Sequence, residues 1–296
     1  MIPTLFSVSY AGLWGQARLD LPEFIRKAAA LGYKAVELMG KRPHLSILDT
    51  EKRQLEIIRE TARESGVEIA TIAGYTDFTA GKTAAEVPFV EMQVAYVESL
   101  ARMGKLLGAK IVRVFTGYTT DPEASQADWD RCVNAMRECA AAAEQHGLVL
   151  GVQNHHDTGV GFDAYREFLL DVNHPNCKAM FDPWSVALHG EDLYACAKTM
   201  APMMVQTTLA DYVRLKRFAY MPGLINYREL PATVRAVPLG DGFMDLAGFF
   251  RGLKEGGFDG YVAYEMCSPL RGGGSMENLD KTASISLQKI NAWWGI

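Results

Sequence analysis

Residues 244–265 read MDLAGFFRGLKEGGFDGYVAYE and contain one complete unit of the fold. Apolar residues recur at helical spacing up to Leu253, a glycine pair follows, and a short apolar run then ends in Glu265. Glycine commonly ends a helix because it adopts the left-handed cap conformation without steric cost. The same order of glycine, strand and terminal Glu occurs at Gly32–Glu37. We interpret the stretch as a repeating module of strand and helix, and not as a domain boundary.

Short apolar runs alternate with longer helical stretches along the whole chain. Glycines also precede the strands in LGYKAVEL, SGVEIATI, LGAKIVRV and HGLVLGV. Eight strands in strict alternation with eight helices predict an α/β protein that is a single (β/α)8 TIM barrel over residues 1–296, with a doubly wound open sheet as the poorer alternative. The predicted strands are TLFSVSY, AVELM, IATIAGY, IVRVFTGY, VLGVQNHH, CKAMFDPW, MVQTTLADY and GYVAYEM.

One connection is much longer than the others. The segment Tyr212–Phe243 separates the seventh predicted strand from the next helix. Loops of this length in compact domains are usually functional, and a loop after strand seven of a barrel hangs over the catalytic face. Two compatible roles fit the segment equally well, a lid over the site and a contact with a neighbouring subunit.

Composition limits the class of partner. The formal net charge of −5 argues against nucleic acid, because phosphate binding needs a basic face. The five cysteines are scattered without a CxxC pair, which predicts reduced thiols. The first residues lack the basic stretch of a signal peptide, and no apolar run is long enough to span a membrane. We expect a cytoplasmic protein with a small-molecule partner, no nucleic-acid or membrane partner, and homo-oligomerisation left open.

Polar residues at the carboxyl ends of barrel strands point into the catalytic site. Asp182 and Glu265 end apolar runs and have no basic neighbour in sequence. Because a buried carboxylate is costly unless it is paired, each is either salt-bridged or a ligand of a divalent cation. An amide and two histidines at neighbouring strand ends favour the cation. The candidate set is Glu37, Tyr75, Arg113, Gln153, Asn154, His155, His156, Asp182, Gln206, Thr208, Asp211 and Glu265.

The run QNHH, residues 153–156, ends the fifth predicted strand. Since side chains alternate along a strand, Gln153 and His155 share a face, and the adjacent histidines cannot both point inward from a regular strand. We therefore expect His155 to face the site. The candidate catalytic residues are Glu265, His155 and Gln153, and the candidate substrate-binding residues are His156, Asn154, Arg113, Glu37 and Trp184.

The chain resembles the xylose-isomerase-like barrel superfamily, and within it the sugar phosphate isomerases and epimerases, with ketose 3-epimerases and inosose dehydratases. The resemblance rests on GYKAVEL, LVLGVQNHHD, AMFDPWS and, most specifically, VPLGDGFMDLAGFFRGLKEGGFDGYVAYE. It implies a divalent metal, Mn²⁺ or Mg²⁺, held by Glu, Asp, His and Glu at the ends of strands five to eight. Asp182 and Glu265 match this pattern, whereas Gln153 and Thr208 stand where Glu and His are usual.

These two departures alter the site that the resemblance implies. Gln153 offers a carbonyl oxygen but no charge, and it cannot act as a base. Gln206 lies two residues before Thr208 on the same strand face and is a candidate replacement ligand, as is His155 next to Gln153. The expected metal ligands are Asp182, Glu265, Gln153 and Gln206.

The resemblance also implies the reaction, which is proton abstraction beside a carbonyl with a metal-stabilised enediolate. A 3-epimerase needs a base on each face of the carbon, and strand five normally supplies one of them. Because Gln153 stands at that position, a one-base reaction with Glu265 or His155 as the base is favoured. The expected function is a metal-assisted isomerase, epimerase or lyase that acts on a sugar, keto-sugar or cyclic polyol.

Two other classes of function fit parts of the sequence. The superfamily includes barrel endonucleases with three zinc ions, but these need more His, Asp and Glu ligands than the strand ends provide, and the acidic net charge disfavours DNA. A non-catalytic or regulatory barrel that binds a sugar would show the loss of metal ligands at Gln153 and Thr208.

Overall fold

The computed structural model describes residues 1–81, 84, 86–118, 125–156 and 158–296. The strands within these residues are numbered in chain order. They are β1 (Ile2–Phe6), β2 (Ala35–Met39), β3 (Glu68–Ala73), β4 (Ile111–Val114), β5 (Val149–Gln153), β6 (Cys177–Met180), β7 (Met204–Leu209), β8 (Asp211–Met221), β9 (Asn226–Val237) and β10 (Tyr261–Tyr264).

Strands β1 to β7 and β10 close into a parallel barrel in the order β1-β10-β7-β6-β5-β4-β3-β2. The barrel closes where β1 pairs with both β2 and β10, which places Ile2 opposite Tyr261 and Thr4 opposite Ala35. The predicted (β/α)8 TIM barrel is therefore confirmed, and the open-sheet alternative is wrong.

The helices follow the strands as the glycine pattern predicts. In α1, the Asp20 carboxylate accepts from the backbone N–H of Glu23, and Gly32 ends the helix with a φ of +95°. Among the described residues, no helix combines the length and apolar character needed to cross a membrane. The helices are α1 (Leu21–Leu31), α2 (Lys52–Ser65), α3 (Phe89–Leu107), α4 (Ser125–Gln145), α5 (Phe162–Val172), α6 (Pro183–Leu188), α7 (Leu193–Met200), α8 (Leu246–Glu255) and α9 (Met276–Trp294).

Seven of the eight predicted strands end before the last residue of the predicted run, and in two of them a helix begins close to that end. The first ends at Phe6 because Ser7–Tyr10 form a turn of 3₁₀ helix. The sixth ends at Met180 because α6 begins at Pro183, only three residues later. Asp182 caps α6 by accepting from the backbone N–H of Trp184, and a proline at the first helical position favours this start. The cap fixes the Asp182 side chain at the end of the barrel.

A small apolar cluster lies at the carboxyl ends of the first three strands, separate from the main core between barrel and helices. It contains Phe6, Met39 and Ala73 from the strand ends, with Val8 and Ala11 from the segment after β1. This cluster supports the end of the barrel at which the candidate residues lie.

The long connection after β7 is a regular antiparallel hairpin of β8 and β9, with Asp211 opposite Val237 and Met221 opposite Asn226. Its base is buried, whereas most of its length is exposed on both faces. Because neither face of this outer part packs on a core, the sequence lacks the alternation that identifies a half-buried strand. The expectation of a loop is therefore wrong in its secondary structure.

Candidate functional site

A cavity of about 330 Å³ opens at the carboxyl ends of the barrel strands. Aromatic rings form much of its wall, and the few charged groups come from the ends of β2, β4 and β10. It is lined by Phe6, Val8, Trp14, Lys41, Tyr75, Arg113, Phe115, Tyr118, Gln153, His155, His156, Trp184, Tyr212, Val234, Glu265, Cys267 and Ser268. The hairpin contributes only residues of its base, Tyr212 and Val234.

Glu265 follows β10 and lines this cavity while remaining only 9% exposed. Burial, followed by the nearby Asp182 carboxylate, raises the pKa of Glu265 to about 8, although the Arg113 charge opposes this shift. The Cys267 thiol donates to Oε1 of Glu265 across 3.3 Å. Glu265 is thus a cavity-facing carboxyl group that can carry or release a proton near neutral pH.

Asp182 is held by two neutral donors. Its Oδ1 accepts from the backbone N–H of Trp184 at 2.9 Å, and its Oδ2 accepts from the side-chain amide of Gln153 at 3.0 Å. Burial raises its pKa to about 6, and these hydrogen bonds together with the Arg113 charge partly offset the shift. Nδ1 of His155 lies 3.9 Å from Oδ2 of Asp182, but burial lowers the pKa of His155 to about 3, so this contact brings no positive charge. Among the described residues, no Lys or Arg pairs with Asp182, so the structure does not show the salt bridge weighed from the sequence.

Gln153 connects the Asp182 carboxylate to the Arg113 guanidinium. Its Oε1 accepts from Nη1 of Arg113 at 2.8 Å while its Nε2 donates to Asp182. Arg113 is 1% exposed, and a second hydrogen bond of 3.0 Å runs from its Nη2 to the carbonyl oxygen of Gly74. The amide orientation of Gln153 is fixed, because a flipped amide would place its NH₂ group against the guanidinium.

Glu37 and Gln206 form a second buried pair that does not line the cavity. Nε2 of Gln206 donates to Oε2 of Glu37, and the Thr71 hydroxyl donates to Oε1 of Gln206 at 2.6 Å. Burial raises the pKa of Glu37 to about 7, opposed by the Arg113 charge and by the Gln206 hydrogen bond. Both ends of the Gln206 amide are therefore engaged inside the barrel.

Both histidine rings line the cavity, contrary to the expectation that only one would. The regular strand ends at Gln153, and His156 adopts a left-handed backbone with a φ of +68°, so strand alternation no longer applies. Burial, then His156 and Arg113, lower the pKa of His155 to about 3, and burial lowers that of His156 to about 4. A neutral imidazole with so low a pKa is a weak base, which leaves Glu265 as the stronger candidate.

The remaining predicted binding residues divide into two groups. Trp184 lines the cavity with its ring 4.9 Å from that of Tyr212. Asn154 lies behind the wall, where its side chain donates to the carbonyl oxygen of Asp182 and accepts from the N–H of Asp182. Asp211 accepts from the backbone N–H groups of Gly240 and Gly242 and so secures the base of the hairpin. Asn154 and Asp211 therefore hold main-chain segments in place.

Several wall residues were not singled out from the sequence. Lys41 lies two residues beyond β2 with its Nζ 3.8 Å from the centre of the Tyr75 ring, and the rule that selected other strand ends applies to it as well. Tyr118 stacks on the His156 ring at 3.5 Å. Trp14 and Cys267 lie in connections after β1 and β10, and nothing in their local sequence marks them as cavity residues.

A model of the xylose isomerase-like TIM barrel family matches residues 25–288. The chain belongs to this family. Among curated relatives, a 3-dehydroshikimate dehydratase from Bacillus anthracis is 22% identical over 260 residues, which cover 80% of this chain and 88% of that protein. An inosose dehydratase from Clostridium perfringens (strain 13 / Type A) is 22% identical over 261 residues, which cover 81% of this chain and 80% of the relative.

Solved structures of other proteins share this architecture. A D-psicose 3-epimerase from Clostridium cellulolyticum H10, in complex with D-tagatose, superposes with a TM-score of 0.77 at 15% identity and covers 99% of both chains. The IOLI protein with a bound zinc atom gives a TM-score of 0.75 at 15% identity and covers 100% of this chain and 98% of that one. At this identity the likeness establishes the fold alone.

The side chains present do not fit the four-ligand metal centre that the resemblance implies. The carbonyl oxygen of Gln153 is used by Arg113, and that of Gln206 is used by Thr71. The Thr208 hydroxyl is buried without a hydrogen-bond partner, and no imidazole takes its place on β7. Within the described part of the chain, no three His, Cys, Asp or Glu side chains are grouped so that they could hold a metal ion. Nδ1 of His155, the other candidate replacement, lies 3.9 Å from Oδ2 of Asp182, but it does not form a three-ligand group with the two carboxylates. Asp182 and Glu265 by themselves are too few for such a centre.

Proposed function

We propose that this protein is an isomerase, epimerase or lyase that removes a proton next to the carbonyl of a sugar, keto-sugar or cyclic polyol. The observation that carries the proposal is the placement of Glu265, a buried carboxyl group that faces the cavity with one thiol donor and no salt-bridge partner among the described residues. The curated relatives, which are named as dehydratases, support the same class of chemistry.

The aromatic wall fits a carbohydrate substrate. The rings of Trp14, Tyr75 and Trp184 line the cavity and offer apolar faces against which the C–H groups of a sugar can pack. A cavity of about 330 Å³ accepts a ligand the size of a monosaccharide or cyclitol. Few polar groups of the cavity wall can contact the substrate. A small number of such groups is typical of pockets that bind a ligand in one orientation.

In this proposal Glu265 is the base. As a carboxylate it takes the proton from the carbon beside the carbonyl, and as a carboxylic acid it returns that proton to the neighbouring carbon or to a departing hydroxyl group. The expected Mn²⁺ or Mg²⁺ takes no part in these steps, because the side chains do not fit its centre.

Proton exchange tests this function without knowledge of the product. The full-length protein is incubated in D₂O with a panel of ketoses and inososes, and loss of the C–H signal next to the carbonyl is followed by NMR. We expect Glu265→Gln to slow exchange by about 10²–10⁴-fold. Glu68→Gln is the matched control, because Glu68 lies at the start of β3 and accepts from the Tyr261 hydroxyl, outside the cavity.

A sugar-binding barrel without catalysis is the second candidate, and the replaced ligand positions Gln153 and Thr208 favour it. The same panel separates the two functions. Saturable binding of a sugar with no exchange of any C–H signal would support the binding protein, and Glu265→Gln would then leave affinity nearly unchanged.

A further inference from the structure

Arg113 is a buried cation whose side-chain hydrogen bonds all run to neutral acceptors. Among the described residues, no carboxylate lies within salt-bridge distance of its guanidinium, and its Nε is buried without a hydrogen-bond partner. Its charge nevertheless acts on three carboxyl groups around it, those of Glu37, Asp182 and Glu265. A buried charge is costly unless it is compensated, so this arrangement favours a ligand that brings negative charge or a strong acceptor.

The surroundings hold the guanidinium in one place. Its carbon atom lies 4.1 Å from the centre of the Phe115 ring, 4.8 Å from Tyr75 and 5.5 Å from Phe6. The hydrogen bonds to Gln153 and to the carbonyl oxygen of Gly74 fix the orientation of its plane. A donor that is already oriented loses little freedom when it binds a developing oxyanion.

The position of Gln153 between Asp182 and Arg113 disfavours a metal ion at Asp182. Through its amide, Arg113 lies two hydrogen bonds away from Asp182, the carboxylate that would hold the metal. A divalent cation beside Asp182 would be repelled by the guanidinium and would lose the Gln153 oxygen as a ligand. The pair of Gln153 and Arg113 therefore belongs with a metal-free site.

We infer that Arg113 is the cation of this site and binds the carbonyl oxygen of an α-hydroxy-carbonyl substrate, in place of the divalent metal that the resemblance implies. This inference rests on the proposed function. Glu265 removes the proton, the C–H electron pair forms the C=C bond, and the carbonyl π pair moves to oxygen. The N–H groups of Arg113 stabilise that oxyanion, and Glu265 holds the proton until it is returned.

Metal titration of the full-length protein is the first test. After dialysis against EDTA, Mn²⁺ binding is measured by calorimetry and by electron paramagnetic resonance. We expect no Mn²⁺ site tighter than about millimolar in the wild type, because two carboxylates beside a guanidinium bind a divalent cation weakly. The variant Arg113→Met/Gln153→Glu/Thr208→His, or Arg113→Met/Gln153→Glu if the first does not fold, is expected to gain one site. A single micromolar Mn²⁺ site in the wild type would overturn the inference.

The second test uses glycolohydroxamate, a small analogue of an enediolate, with EDTA present throughout. We expect it to bind the wild type, to bind Arg113→Met at least about tenfold more weakly, and to bind Arg113→Lys with intermediate affinity. Arg214→Met is the matched control, because Arg214 also contacts an aromatic ring, that of Phe243 at 3.9 Å, but lies outside the cavity. No binding by the wild type, or equal binding by Arg113→Met, contradicts the role of Arg113.

Proton exchange in D₂O separates failure of this inference from failure of the proposed function. Exchange that persists in EDTA and falls about 10²–10³-fold in Arg113→Met supports both. Exchange that stops in EDTA and returns with Mn²⁺ overturns the inference but leaves the proposed function standing. If no ketose or inosose exchanges, the proposed function fails, and the Mn²⁺ and hydroxamate results decide the role of Arg113.

Discussion

The side-chain amide of Gln153 donates to Oδ2 of Asp182 across 3.0 Å, inside a site where both residues are almost fully buried. The other end of the same amide accepts from Arg113. The neutral Gln153 side chain thus separates the buried Asp182 carboxylate from the buried Arg113 guanidinium. A carboxylate at position 153 would contact both of these charged groups.

Gln153→Glu is expected to make stability fall more steeply with rising pH than it does in the wild type. The new carboxylate keeps its contact with Arg113, but its second oxygen meets Asp182, so the two acids share a proton in the folded state. The pKa of this pair rises above its unfolded value, and stability is therefore lost as pH rises from about 4 towards that higher pKa. Between pH 5 and pH 8.5, urea unfolding should show the variant losing about 1–3 kcal/mol more stability than the wild type.

The exposed pair of Gln126 and Asp130 provides the control. The Gln126 amide donates to the Asp130 carboxylate at 2.9 Å on the surface of α4, so Gln126→Glu makes the same chemical change in water. Its effect should stay below about 0.5 kcal/mol at both pH values. Equal effects at positions 153 and 126 would show that the buried amide is not needed to separate the charges.

Glu265 makes the stability of the wild type depend on pH. Gln153→Glu should add to this dependence, whereas Glu265→Gln should reduce it. Burial raises its pKa to about 8, so the folded state binds more protons than the unfolded state between about pH 4 and pH 8. The free energy of unfolding therefore falls through this range in the wild type. Glu265→Gln removes the titrating group, and its stability relative to the wild type should be higher at pH 9 than at pH 5. Parallel urea curves at the two pH values, with no such change, would contradict the raised pKa.

The barrel could be predicted from the sequence because its determinants are local. Glycines such as Gly32 and Gly108 stop helices directly before strands, and the strands are apolar because they are buried on both faces. The same logic located Asp182, Gln153 and Glu265 at strand ends.

Contacts between residues that are far apart in the chain could not be predicted from the sequence. No local pattern shows that Arg113 reaches the Gln153 oxygen, 40 positions further along the chain. The left-handed backbone of His156 also has no local signal, since only three described non-glycine residues have a positive φ. The hairpin was not predicted because its outer part packs on no core and therefore lacks the alternation of apolar and polar residues that identifies a strand.

Cys267 offers a direct way to tune Glu265. Its thiol donates to Oε1 of Glu265 at 3.3 Å and lies 3.1 Å from the Tyr212 hydroxyl. This hydrogen bond stabilises the carboxylate and so lowers the pKa of Glu265 against the larger effect of burial. Cys267→Ala should therefore shift the alkaline rise of the proton-exchange rate to higher pH, and Cys267→Ser, a stronger donor, should shift it to lower pH. A shift in the same direction for both variants would indicate a change of packing.

The hairpin of β8 and β9 presents apolar side chains to solvent along its outer half. Leu224 is 72% exposed, Tyr227 is 63% exposed, and Ile225 is 83% exposed with a φ of +48°, a conformation that a β-branched residue rarely adopts. An isolated two-stranded hairpin is marginally stable in water, and exposed apolar surface is commonly covered by a partner. We expect a second copy of the chain to cover it, as the subunit-contact role of this segment predicts.

Ile225→Asp tests this contact, with Leu170→Asp as the matched control on α5, where Leu170 is 56% exposed. Sedimentation velocity over a range of concentrations should show self-association of the wild type and of Leu170→Asp. Ile225→Asp should sediment as a 32.7 kDa monomer with an unchanged thermal midpoint, because the hairpin tip buries nothing in the single chain. A wild type that is monomeric at every concentration would eliminate the subunit contact.

Limited proteolysis within residues 212–243, with and without a bound sugar, would then test the remaining role, because a lid is cleaved more slowly when the site is filled.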